Sequence, residues 1–276
     1  VTGFGQTGPY SDQPGFARIF EALGGLTYLT GEPDGEPMHS GYPLGDAVGG
    51  LFGAIAMLAA LWPRARNRDL PGEEIDLSLT EGILKVLDYL PIEHQQLGVV
   101  RGRSGNANQY SAPSLVCKSS DGRWFSLAGS TDALFARNCA AIGQPGLTKD
   151  PRFANNGARV QHAATLNDIF RGWCAVQTGE QVMAAFHAAG GTIAPVYNAA
   201  DIAADPHFAA RQAIVDVPDI ELGLVKMPAV VPRFAGAPTA LRHSARAMGH
   251  DNDTVYGDWL GLSADERQRL RNAKVI

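Results

Sequence analysis

Asp46 heads a run of small residues, Gly45-Asp46-Ala47-Val48-Gly49-Gly50-Leu51-Phe52-Gly53. Aspartate is favoured where a helix begins, because its oxygens accept the free amides there and its charge complements the helix dipole. An N-cap at position 46 therefore needs no chemistry to account for it. The same amides hold a carboxylate ionised at neutral pH. Gly45, Gly49, Gly50 and Gly53 strip side chains from the helix around it and leave room for a bulky substrate. An ionised, uncrowded carboxylate can attack an acyl carbon as a nucleophile.

Other chemistries find less support. The opening Gly3-Phe4-Gly5-Gln6-Thr7-Gly8 fits the G-x-G-x-x-G pattern of dinucleotide loops, which requires a helix to begin inside the motif. Pro9 to Gly15, with prolines at both 9 and 14, does not continue as a helix, and no acidic residue closes a strand–helix–strand unit. These glycines read as a sharp turn passing close to something bulky. His94 follows Glu93 directly with no second histidine one turn away, and the seven histidines (39, 94, 162, 187, 207, 243, 250) are scattered. No metal site is expected. The phosphate-loop pattern G-x-x-x-x-G-K-[ST] and the hydrolase elbow G-x-S-x-G are absent.

The chain has 276 residues, 45% hydrophobic and 18% charged, enough for one large or two modest domains. Its net charge is −5 with no Lys/Arg-rich run, which argues against a nucleic-acid or anionic-membrane partner. Cys117, Cys139 and Cys174 lie far apart among apolar neighbours and read as reduced, buried thiols. There is no basic, apolar leader, and the expected location is the cytoplasm. The most apolar stretch, Leu51 to Trp62, is too short to cross about 30 Å of hydrocarbon and reads as a buried helix.

The elements that must position Asp46 follow from spacing. Val1 to Phe4 reads as a strand tail. Apolar residues at 16, 19, 20, 23 and 26 predict a helix over Phe16 to Tyr28 that Gly24-Gly25 ends or loosens. Thr30 to Pro37 is turn chemistry. Asp46 to Leu61 is a long helix, Glu74 to Leu79 alternates like a strand, and Thr80 to Leu97 is helical. After a polar crossing at Ser104 to Ala112, strands are predicted at Ser114–Lys118 and Trp124–Leu127 around the turn Ser119-Ser120-Asp121-Gly122. Helices follow at Asp132–Ile142, Ala163–Val176 and Gly179–Ala189. Short strands at Ile214–Val217 and Leu224–Met227 lead to a helical tail over Ser263–Asn272.

Taken in order, these pieces resemble the class III CoA-transferases, the group of formyl-CoA and carnitine CoA-transferases and α-methylacyl-CoA racemase. The resemblance is carried by Gly3 to Tyr10, by Pro14-Gly15-Phe16 before a helix ending in Gly24-Gly25, by Thr30 to Gly35, and by Gly45-Asp46 with its small-residue helix. Ile75 to Glu81, Asp150-Pro151-Arg152-Phe153, Ala194-Pro195-Val196 and Asp205-Pro206 extend it over nearly the whole chain. The resemblance implies an α/β fold: part of a large Rossmann-like domain plus a smaller α+β domain, in an interlocked homodimer. It maps residues 1–102 to the large domain with its aspartate, 103–197 to the small domain, and 198–276 to a return to the large one. Because members carry many residues upstream, it also implies an N-terminally incomplete sequence.

The resemblance makes Asp46 the catalytic nucleophile of coenzyme A transfer between carboxylic acids, by way of an aspartyl anhydride and an aspartyl-CoA thioester. The substrates are then an acyl-CoA and an acceptor acid, with no permanently bound cofactor. It further implies contacts to CoA or substrate at Pro14, Gly15, Phe16 and Ala17, at Gly105, Asn106, Asn108 and Gln109, and at Ala128, Gly129 and Ser130. The stretch matching the transferases' glycine loop keeps only Gly105, so a plain interdomain crossing is the alternative reading. The racemases carry a histidine thirty residues before the aspartate; here that position is Phe16, which moves no proton. Ala17 stands where an acidic residue is common, and Arg18 beside it could pair with a carboxylate or face solvent. An acyl-CoA racemase or an inactive CoA-binding protein remain the alternatives.

Overall fold

The computed structural model describes residues 1–237 and 239–276. They form a mixed α/β structure in two compact units, Val1–Val196 and Tyr197–Ile276.

The first hundred residues are mainly helical. Helix α1 (Ala17–Leu23) stops at Gly24, where a Cβ would lie 2.6 Å from Cγ2 of Ile83, a side chain with no exposure at all. Gly25, at φ +97°, then turns the chain into the single-turn helix α2 (Leu26–Leu29). The helix predicted over Phe16 to Tyr28 is therefore two. Helix α3 (Leu44–Arg66) is longer than its apolar core implied, and it is followed by α4 (Leu79–Val86) and α5 (Tyr89–Leu97). Ser78 caps α4 by accepting the Glu81 amide, and Gly98 ends α5 at φ +67°.

Two expectations for this region need correction. The strand predicted over Glu74 to Leu79 amounts to one parallel bridge between Ser78 and Thr2. Thr2 donates to the Leu77 carbonyl, and the Leu79 and Thr80 amides donate to the Thr2 and Gly3 carbonyls at 3.0–3.1 Å. No third strand lies beside this pair among the described residues, so no ladder develops and residues 1–102 hold no sheet.

The second correction concerns α3, which is neither short nor buried. Its 23 residues reach about 34 Å at 1.5 Å per residue, and its length and composition alone would allow a membrane crossing. Leu51, Ile55, Leu58, Leu61 and Trp62 are each more than half exposed. The helix is nevertheless committed on one side to its own chain. Gly45 meets the Ala17 backbone, a Cβ at Gly49 would lie 2.1 Å from Leu79 Cδ2, and one at Gly53 would lie 3.4 Å from Leu77. Glycines four apart thus form the packed face, Val48 and Phe52 lie against Gly82 of α4, and Leu51 with the apolar residues beyond Gly53 faces outward.

The main core lies further along. Strands β1 (Ser114–Lys118) and β2 (Trp124–Ala128) pair antiparallel, with Cys117 opposite Phe125. In β2 the alternation is plain: Phe125 and Leu127 are buried and Trp124, Ser126 and Ala128 exposed. Helices α6 (Asp132–Ala141), α7 (Asn156–Gln161), α8 (Ala163–Ala175) and α9 (Gly179–Ala189) follow, and β3 (Ile193–Pro195) pairs with β2. Phe135, Phe153, Leu166, Phe170, Val182 and Phe186 close over the sheet. All three cysteines are buried free thiols; the sulfurs of Cys117 and Cys174 are 3.0 Å apart. Arg159 on α7 is fully buried, donating to the carbonyls of Ala112, Phe153 and Ser130 and pairing with Asp132 at 2.8 Å.

The second unit holds α10 (Ala199–Ala204), α11 (Pro206–Ala210), the hairpin β4 (Ile214–Asp219) and β5 (Gly223–Pro228), and α12 (Ala264–Asn272). Asp205 caps α11 by accepting the His207 amide, and Ser263 with Glu266 forms a capping box on α12. Arg267 and Arg271 both reach Asp253 Oδ1, at 3.0 and 2.6 Å.

Candidate functional site

Asp46 is not the cap of α3. Pro43 holds that position without a side-chain acceptor, and Asp46 is the third helical residue, the only acid in the first turn. Its side chain is exposed, and no hydrogen bond or ion pair engages its carboxylate among the described residues. The first-turn amides are handled otherwise: Leu44 donates to the Tyr42 carbonyl at 2.8 Å, Gly45 to Glu21 Oε1 at 3.1 Å, and Ala47 to the Pro43 carbonyl at 3.3 Å. The Asp46 amide has no acceptor among the described residues. A free carboxylate and a free amide thus stand together at the positive end of a six-turn helix.

Only one of the four glycines assigned to clearing space does so. Gly45, Gly49 and Gly53 admit neighbouring elements, whereas a Cβ at Gly50, one turn beyond Asp46, would meet nothing within 4 Å. The larger hollows along α3 belong to its C-terminal half: about 500 Å³ beside Ala56, Ala60, Pro63 and Ile75, and about 310 Å³ beside Phe52, Ile55, Leu77 and Lys85.

Of the other residues singled out in the sequence, the 14–17 stretch reaches α3. Phe16, in extended backbone, precedes α1 and is 85% exposed, while Ala17 is buried with its carbonyl 3.3 Å from where a Cβ on Gly45 would be. Pro14 is exposed and Gly15 half-buried; Gly15 leaves room for the Phe20 ring, 2.5 Å from a Cβ there. Arg18 is exposed.

The 105–109 stretch is tied elsewhere. Gly105, at φ +56°, donates to the Gly31 carbonyl at 2.9 Å, and Arg103 donates to the carbonyls of Tyr28 and Glu32. Asn106 is exposed, Asn108 accepts the Tyr110 amide at 2.7 Å, and Gln109 accepts from Arg101 at 2.8 Å. Ala128, Gly129 and Ser130 follow β2 into the sheet domain: the Ala128 carbonyl accepts from Asn138 and Thr192, the Gly129 amide donates to Pro113, and the Ser130 carbonyl accepts from Arg159. No hydrogen bond links either stretch to Asp46 among the described residues.

Two features escaped sequence reasoning. Glu21 is 1% exposed and lies one turn after Ala17 on the buried face of α1; that spacing was the available signal. Arg101 lies against the rings of Tyr89 and Tyr110, which meet edge-on, and bonds Glu93 through two nitrogens, at 2.8 and 2.5 Å. Tyr110 adds its hydroxyl to Glu93 at 2.7 Å. The Arg101 hydrogen bond, helped by Tyr110, holds the Glu93 carboxyl below its ordinary range. Tyr89, Arg101 and Tyr110 line an open hollow of about 170 Å³ with Leu29, Ser104 and Asn108. No periodicity marks this cluster. No group of His, Cys, Asp and Glu able to hold a metal occurs among the described residues.

The sequence pattern described as CoA-transferase family III matches residues 1–252. The chain is 38% identical over its whole length to the succinyl-CoA–D-citramalate CoA-transferase of Chloroflexus aurantiacus and 36% identical to the beta subunit of that organism's succinyl-CoA–L-malate CoA-transferase. It covers 68% of each. A crystal structure of a CAIB/BAIF family protein from Brucella suis matches 93% of the chain with a TM-score of 0.76 at 32% identity, and the chain covers 66% of it. The chain therefore spans about two thirds of the length of these relatives.

Proposed function

The chain belongs to CoA-transferase family III, and on that premise we propose that it moves coenzyme A from an acyl-CoA to a carboxylic acid with Asp46 as the covalent nucleophile. The observation that carries this reading is the exposed carboxylate of Asp46 in the first turn of α3, with no partner among the described residues to compete for its lone pairs.

The chemistry balances without metal or ATP because each step exchanges one activated acyl group for another. The Asp46 carboxylate adds to the donor thioester, and CoA leaves as thiolate, giving a mixed anhydride. The thiolate attacks the aspartyl carbonyl, releasing the donor acid and leaving an aspartyl-CoA thioester. The acceptor carboxylate attacks that thioester, CoA leaves again, and its return to the acceptor's acyl carbon frees Asp46. Negative charge builds on oxygen at every addition, where an amide donor at a helix start is effective. The unpartnered Asp46 N–H is such a donor.

Two relatives are named for succinyl-CoA and a hydroxylated dicarboxylic acid, and we assign this chain the same class: a small dicarboxylic acyl-CoA as donor and a small dicarboxylic acid as acceptor. The exposed Phe16 offers CoA an aromatic surface and no second base, which favours transfer over racemisation. The core cluster, wholly between residues 112 and 186, supports reading 103–197 as a small domain, with 1–102 and 198–276 read as parts of the large one. The exposed apolar face of α3 is surface that an interlocked homodimer would cover.

The test uses the full-length protein, succinyl-CoA and hydroxylamine trapping followed by mass spectrometry. The expected result is an adduct on Asp46 and loss of about a thousandfold or more in turnover for Asp46→Ala. Turnover by Asp46→Ala near the unsubstituted level, with no adduct at residue 46, would remove the reading.

A further inference from the structure

We propose that Glu21 is a positioning residue for Asp46: from a different helix it accepts the Gly45 amide and so fixes the first turn of α3 that carries the Asp46 carboxylate. The inference rests on the nucleophile reading above and names the group that places the nucleophile.

A helix start presents amides with no intrahelical acceptor, and a Ser, Thr, Asp or Asn at the cap normally takes one or more of them. Pro43 has no side-chain oxygen to offer and no N–H for a capping box. Along the sequence the nearest acid is Asp46, the first-turn residue whose own placement is at stake. Glu21 supplies the acceptor. It reaches across from α1, is 1% exposed, and accepts the Gly45 amide at 3.1 Å. The Ala17 carbonyl lies 3.3 Å from a Cβ placed at position 45, so α1 and the first turn of α3 meet almost backbone to backbone. The carboxylate approaches from behind the helix, on the buried side, while Asp46 projects from the exposed side. A buried negative group at the amide end is also favoured by the helix dipole.

Two substitutions separate reach from charge. Glu21→Gln keeps an oxygen at the same distance and loses the charge; Glu21→Asp keeps the charge and falls short of Gly45 by one carbon. The full-length protein is assayed with succinyl-CoA for kcat, KM, the fraction trapped at Asp46 and melting temperature. Glu21→Gln is expected to hold kcat within about threefold, since its amide oxygen accepts the same bond. Glu21→Asp is expected to lower kcat and the trapping rate by about tenfold to a hundredfold with KM changed less than about threefold, because a shift of the first turn misplaces the nucleophile. A merely structural role would lower the melting temperature of both variants and leave kcat per folded enzyme unchanged, and that result overturns the inference. So does a loss of kcat in Glu21→Gln with Glu21→Asp unaffected, which would place the effect in charge and not in reach. An unsubstituted enzyme that forms no adduct at Asp46 overturns the nucleophile reading and this inference together. An adduct that forms normally in Glu21→Asp overturns only the role of Glu21.

Discussion

The ring of Phe20 fills the space that a side chain on Gly3 would need: a Cβ there would lie 2.3 Å from Phe20 Cε1 and 2.7 Å from Cζ. The ring is 3% exposed and meets Phe4 edge-on at 5.5 Å between centroids, so it has nowhere to retreat. Gly3→Ala is expected to lower stability by about 1–3 kcal/mol through overpacking. Gly50→Ala is the contrasting case. With nothing within 4 Å and a helical backbone, it should be neutral or gain up to about 1 kcal/mol from helix propensity. Chemical denaturation midpoints of the two variants check both signs, and equal effects would mean that Phe20 does not constrain Gly3.

Arg101 ties the segment 101–110 to α5 through Glu93 and stacks on Tyr110. Arg101→Ala leaves Glu93 with the Tyr110 hydroxyl alone. The amides of residues 104–110 are expected to exchange faster with deuterium, while those of α8 and α9 keep their protection. Glu93 is depressed in the fold, chiefly by the Arg101 bond and then by Tyr110, so its contribution is present above the ordinary glutamate range. It is lost as pH falls through the lowered value. Acidification of the unsubstituted protein should therefore loosen the same amides, and a response elsewhere alone would contradict the assignment.

The thiol of Cys139 titrates late. Burial pushes it from 9.0 up to about 11, with the nearby Arg159 opposing the rise. A thiol raised in the fold stabilises it below its unfolded value, and that stability drains away as pH climbs toward the folded value. The neighbouring sulfur of Cys117, with burial, moves Cys174 the same way. Between about pH 7 and about pH 10 the unsubstituted protein should lose more melting temperature than Cys139→Ala does. Parallel curves for the two would remove Cys139 as a contributor.

Most elements of the sheet domain were legible in the sequence because their signals are local. The strand at Ser114–Lys118 stands as predicted, and the helices over Asp132–Ala141, Ala163–Ala175 and Gly179–Ala189 match within a residue or so. Each carries its own period, cap or turn. The strand over Glu74 to Leu79 was misjudged for the opposite reason. Alternation marks a segment able to pair, but a ladder needs neighbouring strands, and among the described residues the one bridge it makes is to Thr2.

The sequence by itself determined the family, the order of elements and Asp46 as the residue to watch, since motif spacing and periodicity are properties of neighbours along the chain. Tertiary structure alone decided that Gly45, Gly49 and Gly53 serve packing while Gly50 lies open, and that the Gly45 amide finds its acceptor on Glu21, 24 residues earlier. Those outcomes depend on how closely two helices approach and on which face of each is turned inward, quantities that arise only when distant segments meet.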